Sequence, residues 1–253
     1  MAGLDPDGVE AWFADNVPGA EPPLRFERIT GGRSNMTYRV SDASGGSWAL
    51  RRPPLSGGLS SAHDMGREHR IISALEDTDV PVPAALGFCG DESVIGADFY
   101  VMDFVEGLVL RDEEAVASEF PDEDGRRRVG ESVVDTLARI HAVDPDAVGL
   151  GELDRRDGYV ERQLERWKKQ WDASKTRELE DVDRAHAILS ERVPEQRGTA
   201  IVHGDYRLDN AIVTGWARSP RSSTGSRARW ATRWRTSACC SSTGRSRATT
   251  SCR

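Results

Sequence analysis

Residues 199–214 read TAIVHGDYRLDNAIVT, two short apolar runs on either side of the polar octet HGDYRLDN at 203–210. Apolar runs of this length bounded by turn-forming residues predict two short strands. The octet is then a strand–loop–strand connector, which holds side chains rigidly while leaving their tips at a surface. Asp205 and Asn210 are five residues apart, too far to be partners in one turn, so each can point inward for its own reason. Asp, Gly and Asn are also ordinary turn residues. Taken alone, the loop reads equally well as a surface turn, and its neighbours have to decide.

Working outward, the N-terminal third is rich in strands. Residues 7–17 predict a short helix ending near Pro18, followed by LRFERITGGRSNMTYRVSD, a strand, a glycine-bearing turn and a second strand in which Met36, Tyr38 and Val40 alternate. GGSWALRRPP adds a third strand, stopped by Pro53 and Pro54. A helix is expected over about 62–76, then two strands in VPVPAALGFCG and ADFYVMDFVEG, the second apolar on both faces and hence buried. From about 110 the pattern turns helical, with Val133, Val134, Leu137 and Ile140 read as one apolar face and further helices at 157–173 and 176–193. The class is α+β, with 1–107 as one lobe, 108–215 as a partial helical lobe carrying the 203–210 loop, and 216–253 as a separate tail.

Charge and composition narrow the chemistry. The net charge of -8 over 253 residues conceals a split: 216–253 hold nine Arg and no acid, so 1–215 carry -17, the difference between -8 and +9. A body that acidic argues against nucleic acid or an anionic membrane as partner. No apolar run reaches the length of a membrane span. The acidic opening MAGLDPDGVEAWF lacks the basic-then-apolar pattern of a signal peptide. Cys89 is the single cysteine before the tail, and Cys239, Cys240 and Cys252 have no His or spaced Cys partner for zinc. A reducing, cytoplasmic setting is expected.

In phosphoryl transfer an Asp accepts the attacking hydroxyl's proton and a nearby Asn binds the magnesium that bridges the phosphates, which are roles open to Asp205 and Asn210. Four upstream pieces bear on this. ITGGRSNMTYRV places Gly31 and Gly32 where backbone can approach phosphate oxygens, with Ser34 and Asn35 able to add donors; any hairpin also uses such residues. Arg51 ends the third strand, where a cation could reach phosphates or simply face water. Glu68 falls on the inward stripe of its helix, three residues after Met65 and four before Ile72. A carboxylate there needs a partner, and Arg51 is the natural candidate. The strand FYVMDFVEG breaks at Gly107 and reads either as a linker whose backbone bonds an adenine ring or as plain core.

With these residues in place the chain resembles the aminoglycoside phosphotransferase family, which shares the two-lobed protein-kinase fold, in the branch associated with acyl-CoA dehydrogenases. The resemblance runs over about 26–215 on GGRSNMTYRV, ALRRPP, REHRIISAL, FYVMDFVEG, LARIHAVD, GYVERQLERWKKQWDAS and HGDYRLDN. It implies an ATP- and Mg2+-dependent enzyme that moves the γ-phosphate to a hydroxyl of a small molecule, an aminoglycoside or a hydroxyacyl compound. It further implies that Asp205 is the catalytic base and Asn210 a magnesium ligand. Residues 31–35 would form the nucleotide loop, Glu68 would pair with the strand cation, and Met102, Asp103, Phe104 and Val105 would form the adenine hinge. The strand cation is usually Lys in kinases and is Arg51 here, a bulkier and non-equivalent fork.

The family continues past Asn210 with a second magnesium-binding Asp in a motif like VLDWE, and then with helices. Residues 216–253 instead contain no Val, Ile, Leu, Met, Phe or Tyr, and should be disordered. A basic arm for nucleic acid is one reading of this tail; a frameshift is the preferred one. Joining each codon's third base to the next codon's first two, with GC-rich choices at the free bases, lets 217–244 read as the family continuation. The lost Asp then straddles the codons of Ser223 and Thr224, and the slip lies near Thr214–Trp216. A chain so altered would be an impaired enzyme or a non-catalytic pseudokinase remnant that at most binds nucleotide.

Overall fold

Asp5 and Pro6 open the chain's first helix: the Asp5 carboxylate accepts from Gly8 N–H, and proline suits a first turn whose N–H has no helical partner. In the computed structural model this helix, α1, spans Pro6–Asn16. The structure describes residues 3–29, 35–55, 64–153 and 155–215, with the strand segments 229–232 and 240–241. Gly31, Gly32 and Ser34, three of the expected nucleotide-loop residues, lie outside the described residues.

Five strands, β1 (Arg25–Ile29), β2 (Met36–Ser41), β3 (Ser47–Arg52), β4 (Ala85–Cys89) and β5 (Phe99–Asp103), form one antiparallel sheet in the order β1-β2-β3-β5-β4. The alternation read at Met36, Tyr38 and Val40 is the buried face of β2, while β3 is buried nearly throughout and β5 over Phe99, Tyr100 and Val101. Trp12 and Phe13 of α1 meet Phe99 and Trp48 edge-on at centroid distances of 5.0 and 5.7 Å, fastening α1 to the sheet. Each such buried aromatic contributes about 1.5–3 kcal/mol. Helix α2 (Met65–Leu75) starts at the cap Asp64, which accepts from Arg67 N–H at 2.8 Å, and packs on β4 and β5. Its buried face is Met65, Glu68, Ile71, Ile72 and Leu75.

Beyond β5 come α3 (Glu113–Glu119) and α4 (Glu123–Ala142). The inward stripe of α4 passes through Val129, Thr136 and Ile140 with Val133 beside it; Val134 is 65% exposed. That corrects the expected face: Val134 is rotated about 100° from Val133 around the helix and cannot share its stripe. A second core joins Leu110, Phe120 and Val129 to Ala211 and Val213 of β7 (Ala211–Thr214).

By compactness the chain divides into two units, Met1–His141 with His203–Ala238, and Ala142–Val202 with Cys239–Arg253. Within the first unit, α4 and β7 share the core just described. The second unit contains α5 (Tyr159–Ser174), α6 (Glu180–Glu191) and the two-residue strand β6 (Ala200–Ile201). Lys168 ties α5 to α6 through Asp183 at 3.2 Å, yet Trp167, Ile188 and Leu189 are exposed and neither helix has a fully buried residue. Six residues of the tail expected to be disordered are in strand: β8 (Arg229–Thr232) pairs antiparallel with β7, and β9 (Cys240–Ser241) with β6. Backbone pairing at a strand edge needs no apolar side chain, so composition alone did not forbid it.

Candidate active site

The octet 203–210 is built from its backbone outward. Gly204 takes φ +79°, a left-handed conformation that side-chain-bearing residues rarely adopt. His203 is buried, accepts from Asp205 N–H at Nδ1 over 3.4 Å and stacks edge-on with Tyr206 at 5.3 Å. The Tyr206 hydroxyl donates to Val133 O of α4 at 2.9 Å. Burial pushes the Tyr206 pKa up to about 12, with a hydrogen bond to Thr136 opposing it, so this hydroxyl stays protonated and structural. A 3-10 turn at Leu208–Asn210 then reverses the chain into β7, where a plain loop was expected.

This frame turns Asp205 and Asn210 toward each other. Asn210 Nδ2 donates to Asp205 Oδ2 at 2.7 Å and to Asp205 O at 2.9 Å. Both side chains are half-buried, and Arg207, which is exposed, forks onto Asp209 instead of onto Asp205. The result is a carboxylate fixed in direction but still reachable from outside, the arrangement a general base requires. The loop is also tied to the end of the sheet. Leu108 and Val213 exchange N–H···O bonds of 2.9 and 2.8 Å. A side chain at Gly107 would bring its Cβ within 2.5 Å of Ile212 Cγ2 and Val213 O, so glycine is required for that approach.

In the sheet, Arg51 and Glu68 are each 1% exposed and form an ion pair, Arg51 Nε to Glu68 Oε2, at 2.7 Å. Two further donors, absent from the sequence reading as Glu68 partners, complete the carboxylate: Tyr100 OH at 3.0 Å to Oε2 and Asn35 Nδ2 at 2.9 Å to Oε1. Burial would lower the Arg51 pKa, but attraction from Glu68 and Tyr100 outweighs it and holds the guanidinium above its ordinary value. Arg51 and Asn35 are thus turned into a buried cluster, where contact with a solvent-borne phosphate had been an open reading. Arg52, also buried, is consumed by backbone, donating to Gly3 O and to Ile95 O at 3.2 Å.

The expected hinge divides in two. Met102 pairs with both Ala49 and Ala85, and Asp103 pairs with Trp48 while its N–H donates to Ala84 O at 2.9 Å, so the sheet occupies these two backbones. Phe104 and Val105 follow the last paired residue. Arg39 steadies them, its guanidinium 4.3 Å over the Phe104 ring and 3.1 Å from Glu106.

As a metal site the described residues are incomplete. Among them no group of three or more His, Cys, Asp or Glu could hold an ion, and 211–253 contain no Asp or Glu. Asn210 brings one neutral oxygen, whereas Mg2+ is held by carboxylates together with substrate phosphates.

Comparison with known proteins agrees with this layout. A model of the phosphotransferase enzyme family matches residues 25–221. Acyl-CoA dehydrogenase family member 10 of Mus musculus is 35% identical over 192 residues, which cover 75% of this chain but 17% of the mouse protein. A solved chain from Ralstonia eutropha jmp134 that carries the name aminoglycoside phosphotransferase is 36% identical with a TM-score of 0.69, covering 83% of this chain and 60% of that one. A spectinomycin phosphotransferase solved with ADP and spectinomycin, 12% identical at a TM-score of 0.53 over 91% of this chain and 71% of its own, shares the fold. The α+β architecture is therefore kinase-like. No helix of the described residues is long and apolar enough to cross a membrane.

Proposed function

This chain belongs to the phosphotransferase enzyme family, and from that premise we propose that its scaffold serves transfer of the γ-phosphate of ATP to a hydroxyl of a small molecule. The carrying observation is the 2.7 Å bond from Asn210 to Asp205, which aims a half-exposed carboxylate from a rigid turn. In this reading Asp205 orients the acceptor hydroxyl and takes its proton as the phosphorus–oxygen bond forms. Backbone at Phe104 and Val105, past the end of the sheet, receives the adenine. The Arg51–Glu68 pair holds α2 against β3. The donor set does not suffice for Mg2+. The resemblance implies a second carboxylate after Asn210, and restoring one here is part of the proposal.

In the unslipped frame the tail would carry that second carboxylate. The family match ends at 221, close to where Val, Ile, Leu, Met, Phe and Tyr vanish from the sequence. We read 216–253 as the product of a frame slip near Thr214–Trp216 that removed an Asp beside β7. On this reading the chain as written binds nucleotide and transfers phosphate poorly, which is pseudokinase behaviour, and its stability is reduced by the exposed apolar residues of α5 and α6. The test titrates the full chain with ATP and Mg2+ and assays transfer to a panel of hydroxylated acceptors. Saturable binding with transfer no faster than that of Asp205→Asn is expected. Vigorous transfer by the chain as written overturns the impaired reading, and absence of any nucleotide binding overturns the proposal as a whole.

A further inference from the structure

We propose that Tyr100 is a positioning residue for Arg51, acting through Glu68. Nothing in the chemistry of the site otherwise asks for a tyrosine in the strand that leads to the hinge. The residue is fully buried, its hydroxyl donates to Glu68 Oε2 at 3.0 Å, and that same oxygen accepts Arg51 Nε at 2.7 Å. Asn35 holds the other oxygen, Oε1, at 2.9 Å. The carboxylate is therefore gripped by donors from three strands or strand entries: Asn35 just before β2, Arg51 on β3 and Tyr100 on β5.

The geometry separates two tasks. Asn35, just before β2, fixes the plane of the carboxylate through Oε1. Tyr100 fixes the oxygen that Arg51 uses, from a position two residues ahead of Met102. With the hydroxyl removed, Oε2 keeps a single donor of this set, and the carboxylate can swing toward Asn35. Arg51 then loses a stationary partner while remaining in a site without water to replace it. Tyr100 thus connects the hinge strand to the strand cation by two hydrogen bonds in series, and a change at either end shifts the other. The bland alternative is a core tyrosine whose hydroxyl took the nearest acceptor.

Tyr38 provides a matched control. It is equally buried, in the same sheet on β2, and its hydroxyl faces Met36 Sδ at 3.9 Å. The experiment compares the full chain, Tyr100→Phe and Tyr38→Phe by proton exchange of the Arg51 Nε–H in 15N-labelled protein, alongside titration with ATP and Mg2+. A hydrogen bond to a charged group carries enough free energy that its loss should speed Arg51 Nε–H exchange by about tenfold or more. That acceleration is expected in Tyr100→Phe and absent in Tyr38→Phe, with weakened nucleotide binding in Tyr100→Phe only. Unchanged exchange in Tyr100→Phe, or equal acceleration in both variants, overturns the assignment. The nucleotide arm rests on the phosphotransferase reading. If neither variant nor parent binds ATP, that reading fails, while the exchange arm still decides whether Tyr100 positions Arg51.

Discussion

Glu68 and Asp205 each accept from an asparagine side chain, and the molecule treats the two carboxylates in opposite ways. Glu68 is sealed from water and saturated by Arg51, Tyr100 and Asn35. Asp205 is half-buried and steadied by Asn210 at 2.7 Å. A buried charge persists only when fully satisfied, since an unpaired one costs far more than the pair returns. A charge meant to react has to keep an approach open. On the proposed reading Glu68 is structural and Asp205 chemical, although both are acids facing an amide.

Breaking each in turn sharpens the contrast. Glu68→Ala strands a buried guanidinium, and urea unfolding at pH 7 should show a loss of about 3–5 kcal/mol. The double variant Arg51→Met with Glu68→Met should regain most of it, because a well-packed apolar pair of similar volume is often neutral. Asn210→Ala removes two bonds at a half-exposed site, and about 1 kcal/mol is expected in the same measurement. Equal losses at the two sites would erase the distinction.

The smallest effect concerns His69 of α2, whose ring lies 5.9 Å from Phe88 and 6.1 Å from Tyr100. Burial lowers its pKa, with Glu76 opposing. The folded protein therefore binds this proton less readily than the unfolded chain. Its contribution is complete above the unfolded pKa of about 6.5 and is lost as pH falls through the lower folded value. Thermal melts from pH 7.5 to 5 should show a shallower acid decline in His69→Gln than in the parent, and parallel curves would dismiss the effect.

Helical spacing is local, so the burial of Glu68 was legible from its place between Met65 and Ile72. The same periodicity misassigned Val134, because Val133, Val134, Leu137 and Ile140 within eight residues define two overlapping stripes and only packing against β7 selects one. The third and fourth members of the Glu68 cluster were out of reach. Tyr100 and Asn35 are 32 and 33 residues from Glu68, and their meeting depends on strand order and register. At the loop, the residue types of Asp205 and Asn210 were readable. Their mutual aim was not, because it follows from the left-handed Gly204, the Tyr206 anchor on α4 and the 3-10 turn.

The most direct test of the account restores the alternative frame after Thr214 in the gene and measures ATP-dependent phosphoryl transfer by the restored chain, with and without Asp205→Asn. The account predicts transfer at least about a hundredfold above that of the chain as written, since a metal-held phosphate is worth several kcal/mol of transition-state stabilisation, and loss of that gain in Asp205→Asn. Full transfer that survives Asp205→Asn would contradict it.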